Sequence, residues 1–276
     1  MSRFAIHSIG HIMSWKLPTN FSTVHANPLA PSTQNGLGLS TRLETIASFV
    51  EIGSRIVDIG TDHALLPAAL VSKGRAASAI AVDIKPNPIA RAAKLISPMN
   101  LSHKIQVRLG NGLSVVRPNE ADTAIVAGLS GDKIANILAN TKTKNLGIQQ
   151  LIVQPNTNPT FLRQELTRTG WTIINESMVV CGSRSYLIIV LKIGQGSSKL
   201  SFEEALLGPI LSKNPSERIY RMWVDLMLQR YTHKVRSCEQ NKPNSTTSLE
   251  KARAHWLVFN RAYQDGKCTS NPPRIP

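Results

Sequence analysis

The run Asp58-Ile59-Gly60-Thr61-Asp62-His63 sets two carboxylates and an imidazole around one glycine. Asp83 follows 25 residues after Asp58, and Gly110-Asn111-Gly112 forms a third polar turn. Each group ends a short apolar run that reads as a buried strand. In a doubly wound sheet, ligands bind beyond the carboxyl ends of the strands. Gly60 lets the backbone approach a ligand closely. Asp83 can accept two hydrogen bonds from ribose hydroxyls, which favours an unphosphorylated ribose. The Asn111 amide suits an adenine edge, and Gly110 and Gly112 leave room for the ring. No G-x-G-x-x-G follows the first strand, so a pyrophosphate cradle and a nicotinamide dehydrogenase are disfavoured. Carboxylates without a phosphate cradle favour a cationic cofactor. Any one of these acids also reads as a helix cap. Three polar strand ends in this order point instead to S-adenosyl-L-methionine.

The elements that must position these groups follow an alternating pattern. Helices are expected over 42–50 (capped by Thr41), 65–73, 88–96, 132–139 and 159–168 (capped by Asn158). Strands are expected over 54–60, 77–83, 105–109, 123–127 and 151–154. The stretches 171–180 and 185–193 read as an antiparallel pair around Cys181-Gly182-Ser183-Arg184. Alternation implies a parallel sheet covered on both faces. The terminal hairpin predicts an α/β, Rossmann-like class I methyltransferase fold with seven strands, the last inserted antiparallel. Residues 194–198 read as a linker. Three helical stretches follow, over 202–212, 215–238 and 247–264, the two longer ones as an antiparallel hairpin. The expected units are a leader over 1–38, a methyltransferase domain over 39–195 and a helical domain over 199–266.

The chain has 276 residues and a formal net charge of +15. No segment is acidic: residues 201–276 alone hold 12 bases and 7 acids. Such a surplus suits a polyanion. No apolar run approaches membrane-spanning length, so a membrane protein is excluded. Three widely spaced cysteines exclude a disulfide scaffold and a C-x-x-C site, and no metal is expected. The leader has no acid and is rich in Ser and His. It reads as a tail or over-called start, with a transit peptide as the alternative. The cytoplasm is the expected compartment, or a mitochondrion or plastid if the leader is a transit peptide. A monomer is expected.

Arg42-Leu43, the Asp58–Ala64 run, Leu66-Pro67, Arg108–Leu113, Ala127-Gly128 and Gln154-Pro155-Asn156 together resemble the bacterial tRNA (adenine-22-N1)-methyltransferase family. The resemblance runs from about residue 39 to 192, and more weakly to 236. It implies S-adenosylmethionine as methyl donor, N1 of a D-loop adenine in tRNA as acceptor, and a coiled-coil-like helical domain over 199–266 that binds the tRNA. It places Asp58, Gly60, Asp62, His63, Asp83, Gly110, Asn111, Gly112 and Gly128 at the cofactor. It places Gln154 and Asn156 in a loop facing the target base, where their amides would meet its Watson–Crick edge. Asp62 is expected to ease developing charge and His63 to accept a proton or hold the loop. Arg42, Lys213, Arg218, Arg221, Arg230, Lys234 and Arg236 are the expected RNA contacts. Ile219, Met222, Trp223, Leu226, Met227 and Tyr231 read as helix–helix packing.

Three positions depart from the family pattern. Ser130 stands where the family's Ala-Gly-Met-Gly-Gly loop has glycine, Leu65 where an aromatic is common, and Asn87 where glycine is common. These departures keep two other readings open. One is a methyltransferase on rRNA, protein or a small molecule. The other is a catalytically weakened RNA-binding protein.

Overall fold

The computed structural model describes residues 37–139, 143–181, 184–194, 199–213, 217–240 and 246–266. Residues 1–36 of the leader, Gly182 and Ser183 of the expected hairpin turn, residues 195–198 of the linker and residues 241–245 before the last helix lie outside the described residues.

The strands are β1 (Ser54–Ile59), β2 (Ala76–Asp83), β3 (Ile105–Leu109), β4 (Thr123–Ser130), β5 (Gln150–Thr157), β6 (Trp171–Cys181) and β7 (Arg184–Ile193). They form one sheet in the order β3-β2-β1-β4-β5-β7-β6. β7 runs antiparallel to both β5 and β6, and the other pairs are parallel. This is the expected seven-stranded methyltransferase sheet, with β7 inserted. The switch point lies between β1 and β4, so the carboxyl ends of β1, β2, β4 and β5 open onto one crevice.

The helices are α1 (Thr41–Ser48), α2 (Leu65–Ser72), α3 (Pro86–Ile96), α4 (Gly131–Ala139), α5 (Pro159–Arg168), α6 (Phe202–Leu207), α7 (Arg218–Gln240) and α8 (Thr246–Asp265). Successive strand residues point to opposite faces, so the apolar strands feed two cores. Ile56, Ile125 and Ile152 pack with α1, α2 and α3. Val57, Val126, Leu151 and Val153 pack with α4 and α5 on the other face. That second core continues without a break into Leu206, Trp223, Met227 and Phe259 of the tail.

Local chemistry corrects several boundaries. Ser40, not Thr41, caps α1, its hydroxyl accepting the Leu43 N–H. Asn158 starts α5 in a left-handed conformation with no side-chain cap; its amide donates to Asp132 instead. Asn87 lies in the first turn of α3. Residues 128–130 and 155–157, beyond the expected strand ends, extend β4 and β5.

The tail is fastened by a buried ion pair. Arg163 of α5 donates from Nε to Glu176 of β6 at 2.7 Å, and both side chains are wholly buried. Arg163 also donates to the Ala205 and Leu206 carbonyls of α6. Glu176 accepts the N–H groups of Ile210 and Leu211. α7 and α8 then run antiparallel, with Trp256 donating to the Thr232 hydroxyl and Arg253 pairing with Glu239. Among the described residues, no helix is long and apolar enough to cross a membrane.

Candidate active site

At the end of β1, Asp58 lies beneath the loop rather than on it, only 6% exposed. It accepts a hydrogen bond from the Thr61 hydroxyl at 2.6 Å. Burial pushes its carboxyl up to about 6, although the Thr61 bond and the Arg42 charge pull the other way. The loop above turns sharply. Gly60 has φ +75°, and a side chain there would meet nothing within 4 Å, so the backbone is open on that side. Asp62 and Ala64 also adopt positive φ, at 52° and 54°. Such conformations cost roughly 1–2 kcal/mol each for an L-residue. The Gly60 and Thr61 N–H groups hold the loop by donating to the Val82 carbonyl of β2. Asp62 is exposed, paired with Arg91 of α3 and 3.5 Å from the His63 ring.

At the end of β2, one Asp83 oxygen accepts the Lys85 N–H at 3.0 Å. Beside it lie two exposed apolar side chains, Ile84 and Leu109, 62% and 55% accessible. At Gly110 a Cβ would fall 2.1 Å from Val115 Cγ1, and at Gly112 2.9 Å from Ile137 Cγ2. The Gly110–Val115 turn is thus packed too closely for side chains at those positions. Arg108 braces it, donating to the Val115 carbonyl and to both oxygens of Glu120 at 2.6 and 2.9 Å. This guanidinium holds the Glu120 carboxyl down to about 2.

These residues fit S-adenosylmethionine. The carboxylates of Asp58, Asp62 and Asp83 suit a cation. An Asp83 oxygen is left for ribose hydroxyls. Ile84 and Leu109 offer apolar cover for an adenine ring, and the open face of Gly60 gives the chain room to be approached.

The ends of β4 and β5 carry the third cluster. Pairing slips twice around Leu129, and Gly128 has φ +81°. Gln154 is wholly buried, which corrects the expectation that its amide meets the base. Arg42 Nη1 donates to Gln154 Oε1 at 2.9 Å. Gln154 Nε2 donates to Asn156 Oδ1 at 3.0 Å, and Asn156 Nδ2 donates to the Gly128 carbonyl at 2.7 Å. Arg42 also sits over the Tyr186 ring, 5.4 Å from its centroid. The structure therefore brings Arg42 to this cluster, far in sequence from the tail bases. Ser130 has a local role: its hydroxyl accepts the Lys133 N–H and starts α4. Leu65 is half-buried at the first position of α2.

The tail bases divide. At about 100° per residue, Arg230 and Lys234 lie near the buried edge of α7, while Arg221 and Arg236 lie on its outer side. Arg230 and Lys234 line a cavity of about 490 Å³ between α7, α8 and Thr157–Thr160, the chain just beyond Asn156. Lys213 precedes α7, at the end of a short helical turn, and Arg218 is the first residue of α7; both are exposed. The aromatics are core, as expected: Tyr231 stacks on His255 and Phe259, and Trp223 meets Phe259 edge-on. Of the expected packing stripe, Leu226 alone is largely exposed.

Four contributors escape sequence reading. Thr61 carried a local signal, a hydroxyl three residues after Asp58. Ile84 carried a weaker one, directly after Asp83. Arg91 carried none and Arg108 only its place at the head of the Arg108–Leu113 motif, because their partners become neighbours only when the sheet forms.

A family model described as "Methyltransferase domain" matches residues 39–189. The chain is 32% identical to the tRNA (adenine(22)-N(1))-methyltransferase of Bacillus subtilis, over 81% of this chain and 94% of that protein. The B. subtilis m1A22 tRNA methyltransferase structure aligns with TM-score 0.73 at 29% identity, covering 82% of this chain and 99% of that one. An M. capricolum methyltransferase bound to S-adenosyl-homocysteine aligns with TM-score 0.71 at 26% identity, over 83% and 99% of the two chains. With this sheet, these three strand-end clusters and near full-length coverage of its relatives, the chain belongs to the tRNA (adenine(22)-N(1))-methyltransferase family.

Proposed function

We propose that the protein transfers the methyl group of S-adenosylmethionine to N1 of adenine 22 in tRNA. The observation that carries this reading is the crevice itself. Acid-bearing ends of β1 and β2 meet the amide cluster of β4 and β5 across the switch point. When bound, S-adenosylmethionine supplies an electrophilic methyl group on a sulfonium. Adenine N1 already holds an in-plane lone pair, so the protein needs no strong base. Its task is proximity and orientation.

The residue roles are proposals. Asp83 holds the ribose, and Ile84, Leu109 and Asn111 flank the adenine of the cofactor. Gly60 and Gly128 let the backbone approach the cofactor, and Gly110 and Gly112 let the adenine-side turn pack tightly beneath it. Asp58 supplies negative charge from beneath the loop. Asp62, held by Arg91, offsets the positive charge that passes to the methylated base. His63 is exposed beside Asp62 and can take up the proton that the cationic base later sheds. Gln154 and Asn156 orient the target. Lys213, Arg218, Arg221, Arg230, Lys234 and Arg236 engage tRNA phosphates, with Arg230 and Lys234 nearest the crevice. We further propose that residues 39–195 form the catalytic unit, that 199–266 bind tRNA, and that the protein works as a monomer without a metal.

The Ser130 hydroxyl caps α4, so the altered loop is compatible with an intact site. Replacing Asp62 with Ala tests the assignment. Methyl transfer at saturating cofactor should fall at least tenfold; an unchanged rate overturns the role given to Asp62.

A further inference from the structure

Gln154 is wholly buried, yet its amide stands at the centre of a directional chain of hydrogen bonds. A guanidinium has only donors. Arg42 must therefore face the Gln154 carbonyl oxygen, which leaves the Gln154 amide nitrogen to face Asn156. Asn156 then has to turn its oxygen to Gln154 and its nitrogen to the Gly128 carbonyl. Reversing either amide would set oxygen against oxygen or N–H against N–H. Arg42 thus fixes which way Asn156 points, although it lies 114 positions away in the sequence.

Of the three side chains in this cluster, Asn156 is the exposed one. After its two internal bonds it keeps one lone pair on Oδ1 and one N–H on Nδ2. This is one acceptor and one donor on a fixed amide. The Hoogsteen edge of adenine offers the complement, the N6 amino donor and the N7 acceptor. Pairing on that edge leaves N1 bare for the methyl group. Pairing on the Watson–Crick edge would instead occupy the lone pair that must attack.

We infer that Asn156 grips the target adenine by N6 and N7, with Arg42 and Gln154 as positioning residues that lock its orientation. This deepens the proposed function and rests on it. It also excludes guanine, whose O6 would face Asn156 Oδ1 with no hydrogen between them.

The test changes the substrate, leaving the protein intact. Two tRNAs are compared with the full-length enzyme and labelled S-adenosylmethionine, one with adenine and one with 7-deazaadenine at position 22. The second retains N1 and N6 but lacks the N7 acceptor. The inference expects kcat/KM to fall roughly tenfold with 7-deazaadenine, in the range of one lost base contact. In Asn156→Ala the two substrates should react alike, since the partner of N7 is gone. In Gln154→Glu, which keeps the bond to Arg42 but loses the donor to Asn156, the ratio should also fall toward one. Cofactor affinity, read by calorimetry, should stay within about twofold in both variants. Equal rates with the two tRNAs in the unaltered enzyme would overturn the inference. So would a 7-deazaadenine penalty that persists in Asn156→Ala. Failure of the function reading is distinguishable, because then ordinary adenine is not methylated either.

Discussion

Asp58 is a buried carboxyl that its surroundings hold above its ordinary range. Its carboxyl is raised to about 6 in the folded protein, against an ordinary value of 3.8. The folded state therefore binds the proton more tightly than the unfolded chain. The stabilisation from that proton is complete below 3.8 and is lost as pH rises to about 6. Above this, the buried carboxylate, only partly offset by Thr61 and Arg42, costs roughly 3 kcal/mol. Asp58→Asn should accordingly raise the thermal midpoint of the ligand-free protein at pH 7, by several degrees in calorimetry. A bound sulfonium would favour the ionised form, so cofactor affinity should strengthen from pH 5 to 7 in the parent and stay flatter in Asp58→Asn. Gly131 gives a purely steric test. A Cβ there would lie 2.3 Å from the Asn158 carbonyl oxygen, which is backbone and cannot swing aside. Gly131→Ala should destabilise by about 2 kcal/mol or more, seen as a lower denaturation midpoint. At this scale the sequence was most legible where chemistry is local. Asp58, Gly60, Asp83 and Gly110 could be placed by their position after apolar runs. The roles of Arg42 and Gln154 could not, because nothing in the chain announces that residues 42, 154 and 156 share a hydrogen-bonded chain.

At the scale of elements, the tail is not hung on a hinge. Arg163 and Glu176 bind each other, the end of α6 and the turn before α7 inside a core shared with the sheet. Removing one member of a buried ion pair typically costs about 3–5 kcal/mol, since the other charge is left unpaired. Glu176→Gln should therefore lower the unfolding midpoint sharply and loosen the tail. Hydrogen exchange should show faster exchange across α6 and α7 than across β1 and β2; uniform protection would contradict this. Element types and order were readable because helical and strand periods differ. β4 and β5 run longer than their apolar cores suggested, because Gly128 and Pro155 are accommodated by irregular pairing, not by a loop. The Arg163–Glu176 tie was illegible: on sequence, each is an ordinary charge in an amphipathic stretch.

For the whole molecule, the surplus of +15 acquires a geometry. Arg230 and Lys234 border the cavity lined by Thr157–Thr160, while Arg221 and Arg236 face outward. Phosphate contacts release counterions, so each lost contact lowers the salt dependence of binding by about one unit of slope or slightly less. Arg230→Gln with Lys234→Gln should weaken tRNA binding and flatten its salt dependence by nearly two units, with cofactor affinity unchanged. An unaltered slope would remove these two residues from the RNA face. The most direct test of the central claim is a single assay. The protein is incubated with S-adenosylmethionine and unmodified tRNA, and the RNA is then copied by primer extension. N1 methylation blocks Watson–Crick pairing, so the account predicts a cofactor-dependent stop at adenine 22, lost when that adenine is replaced by guanine. Full-length copying with no stop, or a stop at another base, would contradict it.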